Sequence, residues 1–286
     1  NDLAEKYTTV SSAVVSTDRI FELLDDESQL EDTVTGKPLE TVEGRVEFQH
    51  VWFAYEGENW VLKDVSFTIE PGQSVAFVGT TGAGKSTIIS LISRFYDIQK
   101  GRILLDGQDI AQFSLEQLRR RVAVVLQDVF LFSGSIAENV RLGNQEITDE
   151  QVAQALHLAC ADRFIAELPG GMDYPVTERG STFSAGQRQL LSFARAIAHN
   201  PAVFVLDEAT ASVDVETERQ IQKAIASIAG KSTILAIAHR LSTIRSADLI
   251  LVIQDGRIAE SGTHEELVAR GGIYARMNRI QNSAIA

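Results

Sequence analysis

The sequence predicts an α/β fold built on a mostly parallel sheet, and three observations carry that expectation. Short apolar runs recur at Ser74–Val78, Val122–Leu126, Val203–Leu206 and Ile234–Ala238, and they read as strands buried on both faces. Helical periodicity fills the stretches between them, most clearly over Thr87–Ile92 and Ala185–Ala198. A glycine-rich stretch, Gly79-Thr80-Thr81-Gly82-Ala83-Gly84-Lys85-Ser86, joins the first of these runs to the first of these helices. Strands alternating with helices in this way call for a parallel core.

The glycine stretch has the composition of a phosphate-binding loop, which makes the core a P-loop NTPase type. Glycines let the backbone curl its N–H groups around phosphate oxygens, and the helix N-terminus adds a partial positive charge. Lys85 brings a full charge toward the β- and γ-phosphates, and the Ser86 hydroxyl is placed to hold Mg²⁺.

Composition narrows the partners. With 286 residues the chain can bury a full core. A net charge of −13 and a pI near 4.9 argue against nucleic acid or an anionic membrane surface as a direct partner, so a nucleotide site must be locally basic. The lone Cys160 has no second thiol for an intrachain disulfide or a metal cluster, which fits a reducing compartment. No stretch approaches the roughly 18 uncharged apolar residues of a membrane span, and no signal peptide is evident. The chain as given therefore reads as soluble, and its start at Asn1 without a methionine reads as a piece of something longer.

Leu3, Tyr7, Val10, Val14, Phe21 and Leu24 recur at helical spacing, so residues 3 to 24 form one amphipathic helix that needs something to pack on. Residues 26–44 are acidic and polar, with a Gly36-Lys37-Pro38 break, and read as a linker. Val46, Phe48, Val51, Phe53 and Tyr55 mark a strand with an irregularity near His50. Val65-Phe67-Ile69 alternates, Pro71-Gly72 makes a turn, and together these strands predict a small antiparallel sheet. Tyr55 and Trp60 sit on or beside it, where an aromatic serves either as packing or as a platform for an adenine ring.

Arg102–Leu105 with Asp106-Gly107 reads as a strand and turn, Ser114–Arg120 as a short helix, and Val122–Leu126 as a buried strand ending at Gln127. From residues 128 to 200 nearly everything is helix or loop, an insertion between strands of the core. Ile147 to Ala166 carries one helical stripe capped by Thr148, and Ala185 to Ala198 a second. Val203–Leu206 delivers the adjacent carboxylates of Asp207 and Glu208, one suited to Mg²⁺ and the other to polarising a water, although acidic residues also favour a helix start. Ile234–Ala238 ends at His239, at a strand end where such sheets place ligand contacts. Leu249–Ile253, an Asp255-Gly256 turn and Ile258 form a hairpin, and Thr263-His264-Glu265-Glu266 opens a terminal helix with a capping box.

In this order the motifs resemble the nucleotide-binding domain of an ATP-binding-cassette (ABC) transporter, from about Val46 to the C-terminus. Gly79–Ser86 resembles its Walker A, Val203–Glu208 its Walker B with the catalytic glutamate, and Gln127 its Q-loop glutamine. Phe183-Ser184-Ala185-Gly186-Gln187 resembles the LSGGQ signature, with Phe for Leu and Ala for the first Gly. Ala211-Ser212-Val213-Asp214 resembles the D-loop, His239 the switch histidine and Tyr55 the adenine-stacking aromatic. Leu131–Val140 and Val176–Gly180 are similar to the exporters' post-Q-loop segment and X-loop, with Thr177 for the usual Gly. Thr17–Asp25 resembles the stretch between an exporter's last transmembrane helix and its ATPase domain.

The resemblance implies a Mg-ATP hydrolase powering a membrane exporter, with residues 1–25 the cytoplasmic end of a membrane helix and residues 45–286 the ATPase domain. It implies nucleotide contacts from Tyr55, Gly79, Thr80, Thr81, Gly82, Ala83, Gly84, Lys85, Ser86, Thr87 and Gln127. Ser184, Ala185, Gly186, Gln187 and Asp214 join them, and ATP lies between the Walker motifs of one domain and the signature of a second, identical or different ABC ATPase domain. Ser86, Gln127 and Asp207 are the implied Mg²⁺ ligands, and Glu208, His239 and Lys85 the catalytic groups. The remaining partner is the transmembrane domain of the same polypeptide, which puts the domain at the cytoplasmic face of a membrane. Two other readings stay open here: a soluble ABC-type mechanoenzyme, and an ATP-binding regulatory half of a heterodimeric transporter.

Overall fold

The computed structural model describes residues 2–25, 42–207, 214–237 and 244–285. The chain divides into two units, Asn1–Asp32 and Thr33–Ala286. In the first, helix α1 (Asp2–Leu24) matches the expected amphipathic segment, and Tyr7, Val10, Val14, Phe21 and Leu24 of its apolar stripe are exposed. Among the described residues no helix is long and apolar enough to cross a membrane.

The second unit begins with an antiparallel sheet of β1 (Val46–Ala54), β2 (Trp60–Ile69), β4 (Lys100–Leu105) and β5 (Gln108–Asp109), in the order β2-β1-β4-β5. The expected irregularity in β1 is a bulge between Phe48 and Val51, where His50 takes φ 51°. Gly101 lets β4 approach that bulge, since a β-carbon there would stand 2.3 Å from His50 O.

Beside this sheet lies one of six strands, ordered β12-β11-β3-β10-β9-β6. Its members are β3 (Ser74–Val78), β6 (Val122–Val125), β9 (Val203–Asp207), β10 (Thr233–Ile237), β11 (Leu249–Gln254) and β12 (Arg257–Gly262). Every pairing in it is parallel except β11 with β12, a hairpin whose turn residues Asp255 and Gly256 both have positive φ. The apolar runs alternate between the two faces. Val75, Phe77, Val203, Val205, Leu235 and Ile237 pack with α2 (Lys85–Ile92) and the antiparallel sheet. Phe204, Leu206, Ile234 and Ala236 face the other way, into a core shared with α7 (Ala185–Ala198) and α8 (Val215–Ile228). Helices α2 and α7 thus pack on opposite faces of one sheet.

Helix α3 (Leu115–Arg121), capped by Ser114, leads into β6. The inserted helical layer holds α4 (Ile136–Arg141), α5 (Asp149–Leu158), α6 (Asp162–Ala166) and α7. Three details differ from the sequence expectation. The stripe from Ile147 to Ala166 is two helices rather than one, because the chain turns at Cys160, which takes φ 58°. Strand β6 ends at Val125, and Leu126 lies half-exposed beyond it. The insertion also contains a two-stranded sheet, β7 (Gly134–Ser135) with β8 (Pro175–Val176).

Candidate functional site

The parallel register sets where the site lies. Ile237 of β10 stands opposite Phe77 of β3 on one side and Asp207 of β9 on the other, while Val125 of β6 stands opposite Leu206. The loop Gly79–Gly84, Asp207 and Gln127 therefore all lie at the carboxyl edge of one sheet, where open α/β sheets bind ligands. Glu208, His239 and residues 211–213 of the D-loop-like stretch lie outside the described residues.

The loop is shaped by its glycines. A β-carbon on Gly79 would stand 2.3 Å from Ile253 O, and one on Gly84 2.7 Å from Leu62 Cδ2. Gly82 and Gly84 also take φ 80° and 107°, a region that costs other residues about 1–2 kcal/mol. Helix α2 starts at Lys85 with Gly84 as its N-cap and no side-chain cap, and its first turn holds no acidic residue. By contrast α3, α4, α5, α7 and α8 are each capped by a Ser, Thr or Asp side chain. The uncapped N–H groups of α2 and the positive end of its dipole are left for an anion.

Lys85 is buried, and its Nζ donates to Gly79 O at 2.9 Å and Thr80 O at 3.0 Å, which holds the ammonium inside the arch of the loop. Ser86, next in the helix, is exposed. Tyr55 lies half-exposed at the end of β1, hydrogen-bonded through its hydroxyl to Thr87 Oγ1 at 3.1 Å. Its ring meets Tyr96 edge-on at 5.1 Å, so a second aromatic that sequence reasoning did not single out shapes the platform. Tyr55, Val61, Thr81, Gly82, Gly84, Lys85, Ser86 and Thr87 line one cleft of about 340 Å³. An apolar and aromatic wall opposite a cationic loop fits a base at one end and phosphates at the other. The oxygen donors of Ser86, Asp207 and Gln127 are the hard ligands that Mg²⁺ takes.

The signature residues form a different site. Ser184 caps α7, its Oγ accepting from Gln187 N at 3.1 Å while Gln187 Oε1 accepts from Ser184 N at 2.9 Å, a reciprocal capping box that the Ser-x-x-Gln spacing signals. Ala185 is exposed, so its methyl costs the fold nothing. Gly186 is buried, and a β-carbon there would meet Thr217 Oγ1 at 2.5 Å and Cγ2 at 2.6 Å. The two positions are therefore not equivalent. Gly186→Ala is expected to destabilise the fold by about 1–3 kcal/mol, since the methyl must displace Thr217. Ala185→Gly is expected to change stability by less than about 1 kcal/mol, and thermal unfolding of both variants checks the contrast.

Asp214 caps α8 by accepting from Glu216 N and Thr217 N, each at 3.0 Å, and from Thr217 Oγ1 at 2.7 Å. These bonds, led by the Thr217 hydroxyl, hold its carboxyl below the ordinary aspartate value. The two segments similar to exporter elements adjoin one another. Strands β7 and β8 pair them, Arg179 N donates to Leu131 O at 3.1 Å, and Gly180 packs on Leu131. Buried Asn139 pairs with both backbone groups of Phe132 at 2.8 Å. Arg195 reaches from α7 to Asn139 O at 2.9 Å and Phe130 O at 3.2 Å. Together they present Leu126, Phe130 and Phe132 at the surface. Asn139 and Arg195 were missed in the sequence, where a single buried amide or guanidinium leaves no pattern.

Fold and loop together define a nucleotide-binding P-loop domain with an inserted helical layer. The ABC transporter family profile matches residues 62–211. A Bacillus subtilis ATP-binding/permease protein named for multidrug resistance is 48% identical over 280 residues, covering 98% of this chain and 41% of the relative. A fatty acid ABC transporter ATP-binding/permease protein of Mycobacterium bovis is 46% identical over 279 residues, again covering 98% of this chain and 44% of the relative. Among solved structures, a bacterial Atm1-family ABC exporter with ATP bound superposes with a TM-score of 0.85 at 39% identity, covering 96% of this chain and 48% of that one. The chain belongs to the ABC transporter family, of which it carries the ATP-binding part. It spans less than half the length of these relatives.

Proposed function

We propose that this chain binds and hydrolyses Mg-ATP in a head-to-tail pair of ABC ATPase domains and so powers export across a membrane. The observation that carries the pairing is the placement of the two anion sites. The loop leading into α2 belongs to one face of the parallel sheet and the signature turn of α7 to the other. This placement supports a pairing in which a second copy or a related subunit brings its signature to this chain's loop.

In this reading the α2 N-terminus and Lys85 bind the β- and γ-phosphates, and the Tyr55 ring carries the adenine. Ser86, Asp207 and Gln127 would hold Mg²⁺, which when bound would neutralise charge building on the transferred phosphoryl group. Glu208 orients the attacking water and takes its proton, and His239 contacts the γ-phosphate. Ser184 and the N-terminus of α7 complete the partner's site, so chemistry waits for closure. The surface of Leu126, Phe130 and Phe132 receives the membrane part, which passes closure on. Helix α1, with its exposed stripe, continues from the last transmembrane helix at the cytoplasmic face, and the likeness to a multidrug-resistance transporter and to an Atm1-family ABC exporter supports export as the direction.

The test is the solution mass of the Glu208→Gln protein by light scattering, with and without Mg-ATP. A shift from monomer to dimer is expected. A protein that binds ATP and remains monomeric at every concentration tested would overturn self-pairing.

A further inference from the structure

Thr217, in the first turn of α8, lies outside the motifs described above yet touches two of them. Its hydroxyl donates to Asp214 Oδ2 at 2.7 Å, and its Oγ1 and Cγ2 occupy the space that any side chain on Gly186 would need. Asp214 in turn is fastened to the same turn of α8 through its other oxygen, which accepts from Glu216 N and Thr217 N. The side chains of Ser184 and Gln187 cap each other, Ser184 Oγ accepting from Gln187 N and Gln187 Oε1 from Ser184 N. The bare Gly186 backbone thus lies against Thr217, and that side chain's conformation decides which of its atoms faces the turn.

That conformation is not fixed by the helix alone. Val and Ile keep essentially one χ1 well in a helix, whereas Thr divides between two, because its hydroxyl has alternative backbone acceptors. The bond to Asp214 selects one of them. It does so at Asp214, so the side chain beneath the signature is tied to the N-cap of α8.

We propose that Thr217 is a positioning residue that sets the signature turn Ser184–Gly186 at the height required to meet a partner domain's γ-phosphate. The inference rests on the head-to-tail reading above. It requires the Thr217 hydroxyl specifically, since the bond to Asp214 fixes how Oγ1 and Cγ2 stand against Gly186.

The experiment compares Thr217→Val and Thr217→Ser in the Glu208→Gln protein. Three readouts are taken: the Mg-ATP-driven dimer dissociation constant by light scattering, nucleotide affinity of the monomer with a fluorescent ATP analogue, and the melting temperature. Val keeps the volume, but its χ1 is set by the helix and no longer by a bond to Asp214, so the dimer is expected to weaken about tenfold, the scale of one hydrogen bond, while monomer nucleotide affinity stays within about twofold. Ser keeps the bond and is expected to dimerise within about threefold of the parent. A Val variant that dimerises as the parent does overturns the proposal alone. So does a Val variant whose nucleotide affinity and melting temperature fall along with dimerisation, because that marks a purely structural role. A Glu208→Gln parent that binds ATP and never dimerises overturns self-pairing, the form of the head-to-tail reading on which the proposal rests, and the proposal falls with it.

Discussion

Lys85→Ala is expected to weaken Mg-ATP binding about 10²–10³-fold and to reduce turnover to background. A charge-assisted hydrogen bond is worth about 1.5–3 kcal/mol, and Lys85 is placed to make more than one to the phosphates, so a loss of about 3–4 kcal/mol follows. The surroundings raise the effect. Lys85 is buried, its charge offset by two loop carbonyls, so its contribution is poorly screened by water. The same two bonds brace the arch from Gly79 to Thr80, so the alanine variant also loses part of the loop's shape before ligand arrives. Lys85→Arg separates charge from shape. Arg keeps the charge, but its planar fork does not fit an arch closed by two carbonyls, and binding is expected to stay at least about tenfold weaker than in the parent. Titration calorimetry with Mg-ATP checks both variants, and near-parental affinity in Lys85→Ala would remove Lys85 from the phosphate site.

How far the sequence carried the reading depends on the range of each interaction. The loop was legible because its constraints are local. Gly82 and Gly84 meet positive φ, Gly79 and Gly84 meet steric walls, and an uncapped helix with Lys at its first position follows. The parallel strands were legible because burial on both faces leaves no polar alternation, as Val203–Leu206 and Thr233–Ile237 show. Cys160 was not legible as a break. Ala159 and Ala161 are both buried and continue the apolar stripe, and only tertiary packing tells α5 from α6. Strands β7 and β8 have two residues each, too few for a period, and they pair positions some forty residues apart. The contrast between Ala185 and Gly186 was hidden for the same reason, since the atom that forbids a side chain at 186 belongs to Thr217 in another helix.

Glu208→Gln is expected to cut turnover by about 10²–10⁴-fold while leaving Mg-ATP affinity within about twofold of the parent, the span that general-base catalysis commonly contributes. Glutamine matches glutamate in size and can still hydrogen-bond a water, but it cannot accept a proton, so the loss falls on the chemical step. The neighbouring Asp207 does not substitute. It is the last residue of β9, held by the ladder to Ile237 of β10, and in the proposed reading its side chain serves the metal. The prediction is therefore asymmetric: affinity survives because Lys85, the α2 N-terminus and Tyr55 are untouched, while the closed pair persists because nothing consumes the nucleotide that holds it. Steady-state phosphate release and nucleotide titration on one preparation measure the two halves. Retained hydrolysis would mean another group takes the proton, and lost affinity would mean Glu208 supports the ground state. Either result would also remove the trap on which the dimer measurement depends, so turnover is the quantity to establish before any pairing is read from the mass.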